Sequence, residues 1–354
     1  MRKLKVLAWS LGLLFSCGLA VLVRWHAEIQ TYAQSHRNLT FFVVLALLLA
    51  IPARFIALAA VYLIELLLVG WSRSSLRMLC APQASVKLDL LATLATVLFE
   101  SRHLGYLFSF GLLYAVDAYT QRHIDISLTR FLPLSVLPII FFLPLQSCLR
   151  YWMHRLEHSV PALWALHQFH HSADRMSILA SARQTQLGIG VERAIVLVPT
   201  ALLITPAATR PALASPFFAV VLIYLVYDTF MAVSGYLCHS NLTTGYGWIG
   251  RWLLVSPRMH RLHHAATPAY YNTNFSFDLV IWDRLFGTYA ECDPGTDIEA
   301  IAVGLEHNPF NNQNTTVGVL REYFLTTYVV FWRELKKLFS KAPPPDLVQP
   351  GGVG

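Results

Sequence analysis

Two apolar runs, about 187–205 and 212–236, stand between histidine-rich stretches of this chain. The break between them reads PAATRPALASP, and proline on both sides of a short polar segment marks a turn. Runs joined in this way are expected to enter an apolar medium as a hairpin and return to the side they left. That return limits the fold more than any other feature. It brings the histidines before the hairpin and those after it to one face.

Nine of the 14 histidines fall into three bursts. The first, HRLEHSVPALWALHQFHHS, holds His154, His158, His167, His170 and His171. The second, CHSN, holds His239, and the third, SPRMHRLHH, holds His260, His263 and His264. His154 and His158 are four apart, while His167–His170 and His260–His263 are three apart. On a helix such pairs share a face, with Cβ atoms about 5–6 Å apart, and can grip one metal ion. The adjacent His171 or His264 points roughly 100° away and reaches toward a second ion. Nine imidazoles also exceed the three protein ligands usual for a catalytic zinc, so two ions are expected. A lone histidine in an apolar chain is ordinarily a hydrogen-bonded core residue, but three clusters at ligand spacing are not explained that way. Imidazole suits zinc, copper, iron and nickel, and spacing alone does not choose among them.

The segments YWMHRLEH (151–158), LWALHQFHHS (163–172), HSN (239–241), SPRMHRLHH (256–264) and NTNFSFDLVIWDRLFGTY (272–289) give the chain a resemblance to a known family. It resembles the fatty acid hydroxylase/sterol desaturase superfamily of membrane di-iron enzymes over about 150–290. The resemblance implies two Fe ions held by the nine histidines, with O2 as co-substrate and hydroxylation or desaturation of a lipid C–H bond. Some relatives carry a tenth histidine a few residues after the position of His239, where this chain has Thr243. Many read Arg-x-His-Pro after the HxxHH box, where this chain has Arg183 followed by Gln-Thr-Gln. The chain has no recognisable nicotinamide, iron–sulfur or haem motif. A separate electron donor is therefore implied, ferredoxin or a haem carrier with its reductase.

Composition fits a membrane protein. Of 354 residues 55% are hydrophobic and only 13% charged, with mean hydropathy +0.49; soluble domains carry about 25% charged residues. The net charge of +7 is read as cytoplasmic loops rather than nucleic-acid binding, for which no basic–aromatic motif is present. Five scattered cysteines lack CxxC spacing and are read as unpaired packing residues on a reducing face.

The expected fold is all-α, a polytopic helical bundle with a cytosolic helical cap around the dimetal site. Residues 1–130 should hold transmembrane and interfacial helices, beginning with a signal anchor after Arg2, Lys3 and Lys5. Within them 40–70 reads as one kinked span or a re-entrant pair, 88–100 as an interfacial helix and 104–117 as a short crossing. Residues 131–290 should form the catalytic domain, opened by a span over 131–149, and 291–340 a cap with an amphipathic helix. Residues 341–354 read as a disordered tail. Multi-pass insertion in a bacterial inner or endoplasmic membrane follows, with the catalytic face cytoplasmic.

Several polar residues stand near the histidines. Glu157 is placed to hold a ligand imidazole, and Asp174, Asn241, Asn274 and Asp283 are further candidates for that supporting role. Arg193 and Asp228 are expected to pair within the hairpin. His103, His123 and His307 lie outside the clusters and read as structural, while His26 and His36 read as surface residues. The competing reading is a histidine-bound zinc membrane protein, a lipid hydrolase or a scaffold without chemistry. HExxH, which would favour a zinc hydrolase, is absent.

Overall fold

The computed structural model describes residues 39–80, 82–99, 143–192, 195–196, 214–293, 295–310 and 316–339. Among these the chain is helical, with two isolated β-bridges and no longer strand. Helix α1 (Leu39–Val69) is one continuous 31-residue helix that passes through Pro52, not a re-entrant pair. Among the described residues, whose side chains begin in α1 at Arg54, no helix is long and apolar enough to cross a membrane. The anchor, the 104–117 crossing, most of the 131–149 run, the hairpin turn and the tail lie outside the described residues, as do Arg193 and the Asp228 side chain.

Helix α1 lies against α6 (Ala214–His239). The two meet through Val61, Ile64 and Leu68 on one side and Leu237 on the other, joined by Ile178 and Leu242. Residues 61, 64 and 68 recur at helical spacing, so one stripe of α1 is buried. Glu65 sits in the same stripe and is fully buried. It accepts hydrogen bonds from the Ser75 backbone N–H (2.6 Å), the Ser75 hydroxyl (2.8 Å) and the Asn241 backbone N–H (2.8 Å). One carboxylate thereby ties α1 to α2 (Ser75–Cys80) and to the turn directly after His239.

Helix α3 (Ala84–Phe99) carries Asp89, which meets Arg183 just beyond a 3-10 turn (Ile178–Ala182). Helices α4 (Leu143–Ser159) and α5 (Pro161–His171) then form a tight corner. Pro161 starts α5, where the missing N–H costs nothing. After α6 come three short helices, α7 (Trp248–Trp252), α8 (Pro257–His263) and α9 (Ile281–Leu285). The Ser-Pro start of α8 is a cap: the Ser256 hydroxyl accepts the Met259 backbone N–H at 3.3 Å.

The C-terminal stretch is α10 (Thr316–Tyr323), a π-turn (Phe324–Val329) and α11 (Val330–Phe339). Phe331 packs on Ala162, Ala165 and Leu166, so the stretch braces the outside of α5. The Gln168 amide of α5 donates to the Thr326 carbonyl of the π-turn at 3.2 Å. Trp332, Leu338 and Phe339 remain exposed.

Candidate metal centre

The nine histidines converge, and they do so as two groups. His154, His158, His167, His171 and His263 form one; His170, His239, His260 and His264 form the other. Within each group one ring nitrogen per histidine lies within 4.8 Å of all the others, and each group could hold a metal ion. All but His158 are buried.

The division corrects one detail of the spacing argument. His167 shares its group with His171, not with His170, and His260 shares with His264, not with His263. Helix geometry gives the reason. Four residues advance the helix by about 40° past a full turn, whereas three fall about 60° short. The i, i+4 pair is therefore the better aligned, and the middle histidine turns to the neighbouring group.

Backbone carbonyls orient the rings. His154 donates from Nδ1 to the Phe275 carbonyl (2.6 Å), and His263 donates from Nδ1 to the Thr273 carbonyl (2.8 Å). His170 donates to Arg183 (3.2 Å) and His239 to Gly235 (2.7 Å). A carbonyl only accepts, so Nδ1 carries the proton in each and Nε2 presents a bare lone pair. Two such lone pairs, on His170 and His239, face each other at 3.2 Å. Protonating a ring would relieve the clash, but burial pushes His170 well down and His239 down to about 4. Facing lone pairs in a buried site fit a cation between them, and nitrogen donors of this kind fit a transition metal. The Nε2 atoms of His158 and His263 are buried without hydrogen-bond partners, as ligand atoms would be.

The loop 272–276 spans both carbonyl contacts of the five-histidine group. Asn272 and Asn274 adopt φ of 57° in it, a region asparagine tolerates. Buried Asn274 exchanges hydrogen bonds with Ala290 (3.0 and 2.9 Å). Asp283 is fully buried and accepts from the backbone N–H groups of Phe275 (2.7 Å) and Ser276 (3.0 Å) and from the Thr288 hydroxyl (2.7 Å). Asp283 thus holds the carbonyl that holds His154. Such outer partners are worth about 10–100-fold in metal affinity or activity. Asp283→Ala is expected to retain metal about 10–100-fold less tightly in a chelator competition; unchanged retention would mean that the loop keeps its shape without it.

The other supporting candidates separate. Glu157 lies 3.2 Å from Nδ1 of His167, with its carboxyl pushed well up by burial and by nearby Glu192. Glu192 itself pairs with Arg150 at 3.1 Å. Asn241 contacts Glu65 and Met78, so it fixes the turn after His239 and does not touch a ring. Asp174 is exposed, as is His307. Arg183, whose motif departs from the family pattern, still supplies the carbonyl that orients His170. Its fully buried guanidinium binds Asp89, Ser172 and Ser85. Asp89 carries no local signal in the sequence, and Asp278 none beyond its place in the 272–289 stretch; their partners lie far along the chain.

Residues 139–288, which contain every histidine of both groups, match the fatty acid hydroxylase family model. This segment belongs to the fatty acid hydroxylase superfamily. The chain is similar to human alkylglycerol monooxygenase, 28% identical over 182 residues, which are 51% of this chain and 36% of the relative. It is also similar to the ornithine lipid hydroxylase of Rhizobium tropici, 28% identical over 169 residues, 48% of this chain and 41% of the relative. The fatty acid hydroxylase of a Lecanicillium species is 30% identical over 165 residues, 45% and 42% respectively. The chain spans about a third of the length of the alkylglycerol monooxygenases it matches. No solved structure gives a significant match.

Proposed function

We propose that this chain is a membrane-bound oxygenase that uses two irons, O2 and external electrons to hydroxylate a C–H bond of a lipid. The observation that carries the reading is the pair of adjacent all-histidine groups within a fatty acid hydroxylase segment. The nine histidines are the metal ligands in this reading. Two irons bound there would supply the redox chemistry of O2 activation and C–H oxidation.

The residues of the chain do the rest. Backbone carbonyls of Phe275, Thr273, Arg183 and Gly235 fix four rings with Nε2 facing inward. Asp283 and Asn274 fix the loop that presents the first two carbonyls. Burial keeps the imidazoles neutral, the form in which they ligate, and keeps water away from the reacting carbon. The group with four histidines has one donor fewer than its neighbour, and Thr243 stands where some relatives have another histidine. That group is the one with room for a non-protein ligand. The substrate is a lipid from the bilayer, and electrons come from a separate ferredoxin or haem carrier. Relatives whose names specify alkylglycerol and ornithine lipid favour a polar lipid over a hydrocarbon.

The test is lipid mass spectrometry on cells expressing the chain with a supplied reductase, against His170→Ala. A lipid class that gains one oxygen only with the wild type is expected. Loss of two hydrogens instead would make it a desaturase. No difference between iron-loaded wild type and variant, with sterol, ether-lipid and acyl-lipid feeding, would sink the oxygenase reading. Bound zinc and no bound iron would favour hydrolytic chemistry.

A further inference from the structure

Gln146 lies in α4 and is fully buried, yet neither its Nε2 nor its Oε1 has a hydrogen-bond partner. A buried amide left without partners loses its hydration and gains nothing in return. The adjacent residue shows the contrast. Ser147 donates to Asp278 and accepts from the Trp282 indole at 2.7 Å, and Asp278 also accepts from Tyr227 at 2.6 Å. That network makes no use of Gln146.

The position of Gln146 is informative. Gln146, Arg150 and His154 are successive i, i+4 residues of one helix, so they run in a row toward the five-histidine group. Eight residues separate Gln146 from His154, about 12 Å along the helix axis. Arg150, between them, is buried and neutralised by Glu192. The row therefore offers a neutral amide, able both to donate and to accept, set back from the metal ligands at the end of the chain's apolar 131–149 run.

We propose that Gln146 is the subsite for the polar group of the lipid substrate, taking an uncharged hydroxyl or amide that donates and accepts at once. This rests on the lipid-oxygenase reading above. The carbon attacked would then be counted from the polar end of the lipid, because the anchor lies at a fixed distance from the histidines.

Binding tests the subsite apart from turnover. Zinc-loaded full-length protein in nonionic detergent would be melted with hexadecanol or with hexadecane, and compared with Gln146→Leu and Gln146→Met. The wild type is expected to gain more from the alcohol than from the alkane. Both variants should keep the wild-type metal content, melt higher than the wild type without ligand, and respond equally to the two probes. Gln146→Met, unbranched like glutamine, carries the test if the leucine disturbs packing. A wild type that does not distinguish the probes would overturn the proposal, as would variants that still prefer the alcohol. Variants that melt lower would also overturn it, since they would show the amide serving the fold through a buried water. Alcohol preference without any oxidised product in cells would leave the subsite standing and count against the oxygenase reading alone.

Discussion

Replacing His239 with alanine is expected to reduce bound metal from two ions per chain to one and to lower lipid oxidation by more than about 100-fold, beyond the range of outer-shell losses. The four-histidine group would be left with His170, His260 and His264, and the facing lone pair of His170 would lose its counterpart. The five-histidine group shares no ring with it and should stay loaded. His158→Ala is the milder experiment: it leaves the five-histidine group four rings, as many as its neighbour has, and should loosen the ion there without emptying either group. Elemental analysis of purified protein, with iron titrated back, reads both. Retention of two tightly bound ions by His239→Ala would remove His239 from the ligand set. Loss of both ions from either variant would mean that the groups load as one unit.

Asp89→Ala is expected to destabilise the protein by about 3–5 kcal/mol, the usual cost of stripping one partner from a buried ion pair. Arg183 is fully buried, and Asp89 and Ser85 are its principal partners from α3. Ser177 donates to the other Asp89 oxygen at 2.7 Å, so the alanine also orphans a hydroxyl. The effect should reach the metal, because the Arg183 carbonyl orients His170. Thermal melts and metal content of the same preparation check this. Replacing Asp89 and Arg183 together by apolar residues should recover part of the stability, since no lone charge remains. A single variant that melts within about 1 kcal/mol of wild type would show that water reaches Arg183.

The histidine bursts disclosed the site because ligand chemistry leaves a local mark: histidines recur at helical spacing within 154–158, 167–171 and 260–264. The hairpin argument then required the bursts to meet, and they do. The assignment of His170 and His171 to different groups was also legible, but the i, i+3 pairing was favoured where the smaller angular offset of i, i+4 prevails. Glu157 was visible because it sits between two histidines. The rest was hidden by distance. Asp89 and Arg183 are 94 residues apart, and Ser147 and Asp278 are 131 apart. Neither pair has a motif, and an aspartate in an apolar helix reads the same whether it is paired or solvated. The carbonyl contacts to His154 and His263 were equally silent, since any residue supplies a carbonyl. Only Asn274 and Asp283, whose side chains shape that loop, left a trace.

The division of neighbouring histidines has a mechanical consequence. His170 and His171 are consecutive on α5, and His263 and His264 are consecutive at the end of α8, yet each pair serves both groups. The separation between the two centres is thus built twice into peptide geometry, where covalent bonds and helical hydrogen bonds hold it. Ions held by the two groups would therefore change charge or exchange ligands at nearly constant spacing, as two beads pinned to the same pair of rods.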